Sequence, residues 1–217
     1  MSAATIDELT LADEPAHWVA LGFTVLDDCI QLGTVRLRLA GAAAGRGILG
    51  WSLRGIGSTE LDGLPTKRSE EAVPAPAAPH LNGIAAIDHV VAMTPALDRT
   101  VQALRNAGLD LRRIREEPTP AGAPRQAFFR LGGEILEVVQ EPEHVVAARE
   151  DRATRPARLW GLALLATDLD RTVTTLGEYA GEARDAVQPG RRIATVKRSA
   201  GLAIPLALMS AEERPAQ

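Results

Sequence analysis

Two stretches of the chain repeat the same order of hydrophobic and polar positions. The apolar runs AIDHVVAM (86–93) and LWGLALLA (159–166) have the length and composition of buried β-strands. Each run leads into a segment, TPALDRTVQAL (94–104) and ATDLDRTVTTL (166–176), in which leucine and valine recur at helical spacing around the shared letters LDRTV. This internal repeat predicts two copies of a strand followed by an amphipathic helix.

Both predicted helices have capping signals at their ends. In the first, Thr94 is the expected N-cap, Pro95 fits the first helical position and Gly108 fits the C-cap. In the second, Thr167 with an acidic residue three positions later resembles a capping box, and Gly181 follows the helix. These signals predict where each helix begins and ends.

Three further strand candidates follow each helix. The turns between the last two strands, Gly132-Gly133 and Ala200-Gly201, are consistent with hairpins. Each copy is therefore predicted to have the order β-α-β-β-β. The strand candidates are LDLRRIRE, RQAFFRLG and EILEVVQ in the middle copy, and EARDAVQ, RRIATVKRS and LAIPLALMS in the last copy.

The N-terminal part of the chain is a weaker copy. IDELTLA echoes the first strand, EPAHWVALGF predicts a short helix, and TVLDD and TVRLRLAG predict strands. One more strand lies within RGILGWSLRGI, and the sequence leaves two interpretations of it open. It closes this copy, or it opens another, truncated copy, because LDGL follows it much as LDRT follows the other strands.

Two segments divide the chain, and neither has the hydrophobic periodicity of a strand or a helix. One is rich in proline and alanine, and the other is highly charged. The predicted organisation is a degenerate N-terminal βαβββ-like module (1–65), a Pro/Ala-rich linker (66–83), a βαβββ module (84–140), a charged linker (141–156) and a βαβββ module (157–212).

Composition and charge exclude several classes of partner. The net charge is −4 and no block of Lys and Arg stands apart from acidic neighbours, which argues against nucleic-acid binding. No apolar run is long enough to cross a bilayer, and the N-terminus lacks a signal-peptide pattern. The single Cys29 excludes an intrachain disulfide. We therefore expect a cytoplasmic protein with no nucleic-acid and no membrane partner.

The middle copy contains two polar residues on otherwise apolar strands. His89 lies in IDHVVAM, where strand alternation places it on one face with Val91. Glu137 lies in EILEVVQ, and a lone carboxylate there is costly to bury unless it is paired, hydrogen-bonded or bound to a metal. A histidine and a glutamate on two strands of one module are half of a site suited to Zn²⁺, Fe²⁺, Mn²⁺ or Ni²⁺.

The repeat, opening with IDHVVAMTPALDRTVQALRNAGL and closing with FFRLGGEILEVVQ, resembles the glyoxalase/bleomycin-resistance/extradiol-dioxygenase group, the vicinal oxygen chelate superfamily. The resemblance implies an α+β fold of tandem βαβββ modules, which form curved half-barrel sheets with helices outside. It also implies a cleft between paired modules, with metal ligands on the first and last strands. His89 and Glu137 occupy these two ligand positions.

The other copies depart from this ligand pattern. Gly161 stands where His89 stands, and the last strand of the last copy has Pro205 or a neighbour where the middle copy has Glu137. The N-terminal copy offers Glu8 at the histidine position. The largest predicted metal set is therefore Glu8, His89 and Glu137, and the alternatives are a two-ligand site or no metal.

Other residues are weaker candidates for the same cleft. Gln126, Trp51 and Trp160 are predicted substrate-binding residues, although a solvated edge role for Gln126 and core packing for the tryptophans are the default interpretations. His80 and His144 fall in the linkers, where we expect them to be solvated.

Two classes of function follow from the resemblance. The first is a glyoxalase-like enzyme of lyase, isomerase or dioxygenase type, whose site is centred on His89 and Glu137 with an incomplete metal site. The second is a non-catalytic protein that binds a small molecule, such as an antibiotic or natural product, between modules. The odd number of modules predicts a homodimer or an N-terminal module that only caps.

Overall fold

The N-terminal part of the protein forms a small mixed sheet. The computed structural model describes residues 3–119, 122–147, 151 and 154–211. A five-stranded sheet has the order β2-β3-β1-β4-β5. Its elements are β1 (Thr5–Leu11), α1 (Pro15–Ala20), β2 (Cys29–Leu32), β3 (Val35–Leu39), β4 (Ile48–Arg54) and β5 (Thr66–Arg68).

The middle and last copies share an eight-stranded sheet with the order β11-β12-β13-β10-β6-β9-β8-β7. The middle copy consists of β6 (Ile84–Thr94), α2 (Leu97–Asn106), β7 (Asp110–Arg115), β8 (Gln126–Leu131) and β9 (Glu134–Gln140), and α3 (Glu143–Ala147) follows it. The last copy consists of β10 (Arg158–Ala166), α4 (Leu169–Leu176), β11 (Arg184–Asp185), β12 (Arg192–Thr195) and β13 (Leu206–Ser210). The predicted α+β fold class is confirmed. None of the helices in the described ranges has the length and hydropathy that a membrane span requires.

The first and last strands pair in parallel in both the middle and the last copy. His89 on β6 is paired with Ile135 on β9, and Leu162 on β10 with Leu206 on β13. The short β5 pairs in parallel with β4 in the same way. This third pairing favours the interpretation in which β4 opens a truncated copy, with β5 as its last strand.

The chain divides into two compact units. Unit 1 comprises Met1–Leu9, Leu49–Ala72 and His89–Trp160, and unit 2 comprises Thr10–Ile48, Val73–Asp88 and Gly161–Gln217. In unit 1, α2 packs against β7, β8 and β9. The side chains of these strands and of β6 that form the core are fully buried: Val90, Ala92, Ala127, Phe129, Leu131, Leu136 and Val138.

Unit 1 also contains a buried polar cluster at the start of the chain. The Arg54 guanidinium donates to the Asp7 carboxylate and to the backbone oxygens of Ile6 and Glu71. The Ser69 hydroxyl donates to the other Asp7 oxygen at 2.7 Å. This cluster attaches the segment after β5 to β1, because Ser69 and Glu71 in that segment contact Asp7 and Arg54.

The helix starts differ from the predicted caps. Helix α2 begins at Leu97 with Ala96 as N-cap, because β6 continues to Thr94, which pairs with Gln140. The Thr94 hydroxyl accepts a hydrogen bond from the Ala96 N–H instead. In α4 the N-cap is Asp168, whose carboxylate accepts from the Arg171 N–H at 3.0 Å.

Helix ends and strands also differ in part. The C-cap of α2 is Ala107, one residue before the predicted Gly108, and Gly108 follows it with a φ of 92°. Helix α4 ends at Leu176 with Gly177 as its C-cap, and not near Gly181. The segment TVLDD is not a strand, because Asp27 and Asp28 adopt positive φ in the turn before β2.

The two predicted hairpin turns have different outcomes. Gly132 and Gly133 form the predicted two-residue connection, since Leu131 pairs with Glu134. Gly201 instead follows a single 3₁₀ turn, Arg198–Ala200, within a longer connection between β12 and β13. The Ala200-Gly201 pair therefore does not form the predicted tight hairpin turn.

Candidate functional site

The functional candidates of the middle copy lie on one face of its strands. Residues that pair directly across neighbouring strands share a face of a sheet. Val91 on β6 is paired with Glu137 on β9, and Glu137 is paired with Phe128 on β8. We call this surface the site face. Its members are His89, Val91 and Met93 on β6, Ile135, Glu137 and Val139 on β9, Gln126, Phe128 and Arg130 on β8, and Asp110, Arg113 and Arg115 on β7.

His89 and Glu137 are brought together on the site face. The His89 Nε2 atom lies 3.4 Å from the Glu137 Oε2 atom, and each side chain is 16% exposed. The strand alternation that buries Val90 and Leu136 in the core turns His89 and Glu137 the other way. The pair is therefore within reach of a ligand, while its polar atoms remain largely desolvated.

Gln126 is part of the same group. Its Nε2 atom donates a hydrogen bond to Glu137 Oε1, which leaves Glu137 held from both sides. Gln126 is only 8% exposed, and its Oε1 atom is buried without a hydrogen-bond partner. Because a buried acceptor without a donor is costly, this atom is a candidate ligand contact.

An apolar patch borders this polar group. Val91, Ala123 and Val139 form a small cluster of buried side chains, and Met93 packs against it. A polar pair beside an apolar patch is the composition expected of a small-molecule site.

The predicted metal ligands are not brought together as a set. Among the described residues, no group of three or more His, Cys, Asp and Glu side chains is placed to hold a metal ion. His89 and Glu137 thus supply two of the three protein ligands that a catalytic metal usually has, and Glu8 on β1 does not complete them. The residues that the structure describes therefore do not form a complete metal site.

The tryptophans have contrasting environments. Trp51 on β4 is 3% exposed, and its indole N–H donates to the Thr66 hydroxyl at 2.8 Å. Trp160, at the start of β10, is 40% exposed. Their substrate-binding role stays a prediction.

Phe128, Arg113 and Arg115 are among the site-face residues that were not predicted from the sequence. A bulge in β7 between Leu111 and Arg113 changes the alternation of LDLRRIR, so that Arg113 pairs with Phe128 and Arg115 with Gln126. Bulges of this kind re-aim side chains, and simple alternation does not reveal them. The consecutive arginines in this strand were the one available signal.

Solved structures with a similar fold include larger and smaller proteins. A xylose isomerase-like TIM barrel/4-hydroxyphenylpyruvate dioxygenase fusion protein matches 100% of this chain with a TM-score of 0.63 and 13% identity. The chain spans 50% of that protein. Methylmalonyl-CoA epimerase from Mycobacterium tuberculosis matches 62% of this chain and 91% of its own, with a TM-score of 0.47 and 17% identity.

A Streptomyces coelicolor methylmalonyl-CoA epimerase variant, in complex with 2-nitronate-propionyl-CoA, matches 62% of this chain and 99% of its own, with a TM-score of 0.48 and 16% identity. Comparison with protein-family models gives no match, and comparison with curated proteins gives none either. The match to the dioxygenase fusion protein shows that the chain shares its fold, and this agrees with the fold that the resemblance to the vicinal oxygen chelate superfamily predicted. At these identities the similarity establishes the fold and not an activity.

Proposed function

We propose that the chain is a glyoxalase-like small-molecule enzyme in which His89 and Glu137 move a proton at a carbon next to a carbonyl group. The observation that supports the proposal is the 3.4 Å contact between His89 Nε2 and Glu137 Oε2 beside an apolar patch. An imidazole and a carboxylate in contact are a common arrangement for general acid–base catalysis.

In this proposal one member of the pair accepts the proton from the carbon, which leaves an enolate. A proton is then returned to the opposite face of the same carbon, which epimerises the substrate, or to the neighbouring carbon, which isomerises it. Gln126 is a positioning residue, because its Nε2–H holds one Glu137 oxygen while the other faces His89. The apolar patch excludes water and thereby strengthens these electrostatic contacts.

Deuterium exchange tests this proposal with a panel of enolisable carbonyl compounds. The panel, which includes a 2-oxo acid, a hydroxyketone and a thioester, is incubated with protein in D₂O and followed by NMR. We expect deuterium to enter next to the carbonyl of at least one compound. We expect Glu137→Gln and His89→Gln to slow this exchange by about 100-fold or more.

The matched control is His144→Gln, since His144 is exposed on α3. This variant should exchange at the wild-type rate. A panel with no exchange above the protein-free rate would contradict the proposal, as would exchange that both site variants retain while remaining folded.

The second candidate function is a non-catalytic small-molecule binding protein. It is favoured by the last copy, where Gly161 and Ala207 lie at the positions of His89 and Glu137 and supply no group that transfers protons. Saturable binding of a panel compound without any deuterium exchange would support this alternative.

A homodimer remains part of both proposals, and sedimentation velocity measures the oligomeric state directly.

A further inference from the structure

Two arginines lie on the outer edge of the site face. Arg113 is paired with Phe128, and Arg115 is paired with Gln126. The bulge in β7 leaves Arg112 as the extra residue, outside this pairing. The bulge therefore directs two cationic side chains to the face that contains His89 and Glu137.

The charges of these two arginines are only weakly compensated. The Arg113 guanidinium carbon lies 4.8 Å from the centroid of the Phe128 ring, and among the described residues no carboxylate forms an ion pair with it. Arg115 is 25% exposed and its Nε lies 3.7 Å from Glu117, a carboxylate that is 82% exposed. A long contact to a solvated carboxylate is worth little, because water and salt screen it.

Other arginines of unit 1 are held very differently. Arg99 contacts Asp62 at 2.7 Å, and Arg125 contacts both Glu116 and Asp98, at 2.6 and 3.0 Å. These guanidinium groups are already used within the protein. Arg113 and Arg115 remain able to accept an anionic partner, and an arginine presents a planar set of donors that suits carboxylate and phosphate oxygens.

Gln126 links the arginines to the acid–base pair. It lies between Arg115 on β7 and Glu137 on β9, and its Oε1 atom is buried without a partner. Arg113, Phe128 and Glu137 lie in one row across β7, β8 and β9. Neighbouring strands are about 4.8 Å apart, so the backbones that bear Arg113 and Glu137 are separated by roughly 10 Å. A small molecule can contact both ends and donate a hydrogen bond to Gln126 Oε1 on the way.

We propose that the site face binds a small carbonyl compound with an anionic oxyacid group, a carboxylate or a phosphate. Arg113 and Arg115 hold the anion, Gln126 Oε1 accepts from a hydroxyl or N–H of the ligand, and the enolisable carbon lies at Glu137. The assignment of the carbon rests on the proposed function, whereas the assignment of the anion rests only on the arginines and Gln126.

NMR titration of the full ¹⁵N-labelled chain tests the anion site with two probes, pyruvate and inorganic phosphate. We expect saturable shifts in the β7 and β8 amides and in the Gln126 side-chain amide. Arg113→Gln and Arg115→Gln should each weaken binding by about tenfold or more, because each removes a charge-assisted contact. Tighter binding of pyruvate identifies a carboxylate, and tighter binding of phosphate identifies a phosphate.

Arg112→Gln is the matched control, because it removes the same charge from the same strand but from the bulge position. Binding in this variant should remain within about twofold of wild type, since Arg112 already pairs with Asp110 on the surface. Equal weakening in all three arginine variants would overturn the proposal in favour of general attraction of anions. Failure of both probes to give saturable shifts on β7 and β8 would also overturn it.

Glu137→Gln separates this inference from the proposed function. The variant should still bind the preferred probe through its arginines, although it loses deuterium exchange. Anion binding without exchange by the wild-type protein would reject the proposed function and leave the anion site standing. Two results together would reject the anion site alone. These are unchanged deuterium exchange in Arg113→Gln and Arg115→Gln, and no saturable NMR shifts on β7 and β8 with either probe.

Discussion

His80 is held inside the proline- and alanine-rich segment that precedes the middle copy, and is not solvated as predicted. The Thr24 N–H donates to its Nδ1 atom at 3.1 Å, and its Nε2 atom lies 3.1 Å from the Gln31 carbonyl oxygen. The ring also packs on Phe23, with centroids 5.2 Å apart. Because Nδ1 accepts a hydrogen bond, this arrangement requires the neutral imidazole.

Protonation of His80 should therefore weaken the fold. Burial lowers the pKa of His80 below its usual 6.5, although the Gln31 carbonyl opposes this shift. A lowered pKa in the folded state means that the unfolded chain binds more protons, so stability is complete above pH 6.5 and falls as the pH drops below it. We expect His80→Gln to flatten the dependence of the unfolding free energy on pH between about 7 and 5.

Urea unfolding at several pH values measures this slope. His144→Gln, which removes an exposed histidine, should leave the slope as in wild type. An unchanged slope in His80→Gln would show that another group produces the acid sensitivity.

The residues of the candidate site were partly predictable, and the reason differs for each. His89 and Glu137 interrupt apolar strands, and the free-energy cost of burying such polar side chains identified them as site candidates. Their Nε2 and Oε2 atoms lie 3.4 Å apart in the structure. Gln126 was a weaker candidate, because a polar residue next to a strand end is usually solvated. Arg113 and Arg115 were missed because their direction depends on a bulge, which adds one residue to a strand without a sequence signature.

At the scale of elements, the repeat predicted strands and helices well where the apolar period was long. The middle strands β7, β8 and β9 lie within their predicted segments. Caps and turns were less predictable, since they depend on partners far along the chain. Thr94 is not a helix cap, because it is still part of β6 and pairs with Gln140. The predicted linker contains the strand β5, because this segment pairs in parallel with β4.

Close approach of the first and last strands explains why two copies lack the histidine. A Cβ atom at Gly161 would lie 2.7 Å from the Pro205 backbone oxygen, and one at Gly50 would lie 2.8 Å from the Pro65 oxygen. Both oxygens accept hydrogen bonds from the following N–H of the first strand, at 3.1 and 3.0 Å. The register also shows that Ala207, and not Pro205, occupies the position of Glu137.

We predict that Gly161→Ala destabilises the protein, because the added methyl group meets a backbone oxygen that cannot rotate away. Overpacking of this kind typically costs about 1–3 kcal/mol. Chemical denaturation measures the loss. Gly133→Ala is the control, since a Cβ there meets nothing within 4 Å, and it should change stability much less. Equal stability of Gly161→Ala and wild type would mean that the strands separate easily at this point.

At the scale of the whole molecule, the copies differ in chemistry more than in architecture. Parallel pairing of a first and a last strand occurs in the middle copy, the last copy and the β4–β5 segment. Only the middle copy combines this pairing with His89 and Glu137, whereas the others place Gly161 with Ala207 and Gly50 with Lys67. The same backbone pattern therefore carries the candidate acid–base pair in one copy and lacks it in the others.

This distribution predicts weak metal binding by the intact chain. We expect protein purified without chelator or added metal to contain far less than one Zn, Fe, Mn or Ni ion per chain by elemental analysis. A ligand that binds only the folded state raises its stability, by about 2.7 kcal/mol at a hundredfold excess over its dissociation constant. Adding these ions should therefore leave the Tm nearly unchanged.

Glu8→Gln and His89→Ala provide the controls, because a real three-ligand site would lose metal in both. A stoichiometric ion that disappears in His89→Ala would contradict the prediction and establish a metal site, and its retention in Glu8→Gln would further show that Glu8 is not a ligand.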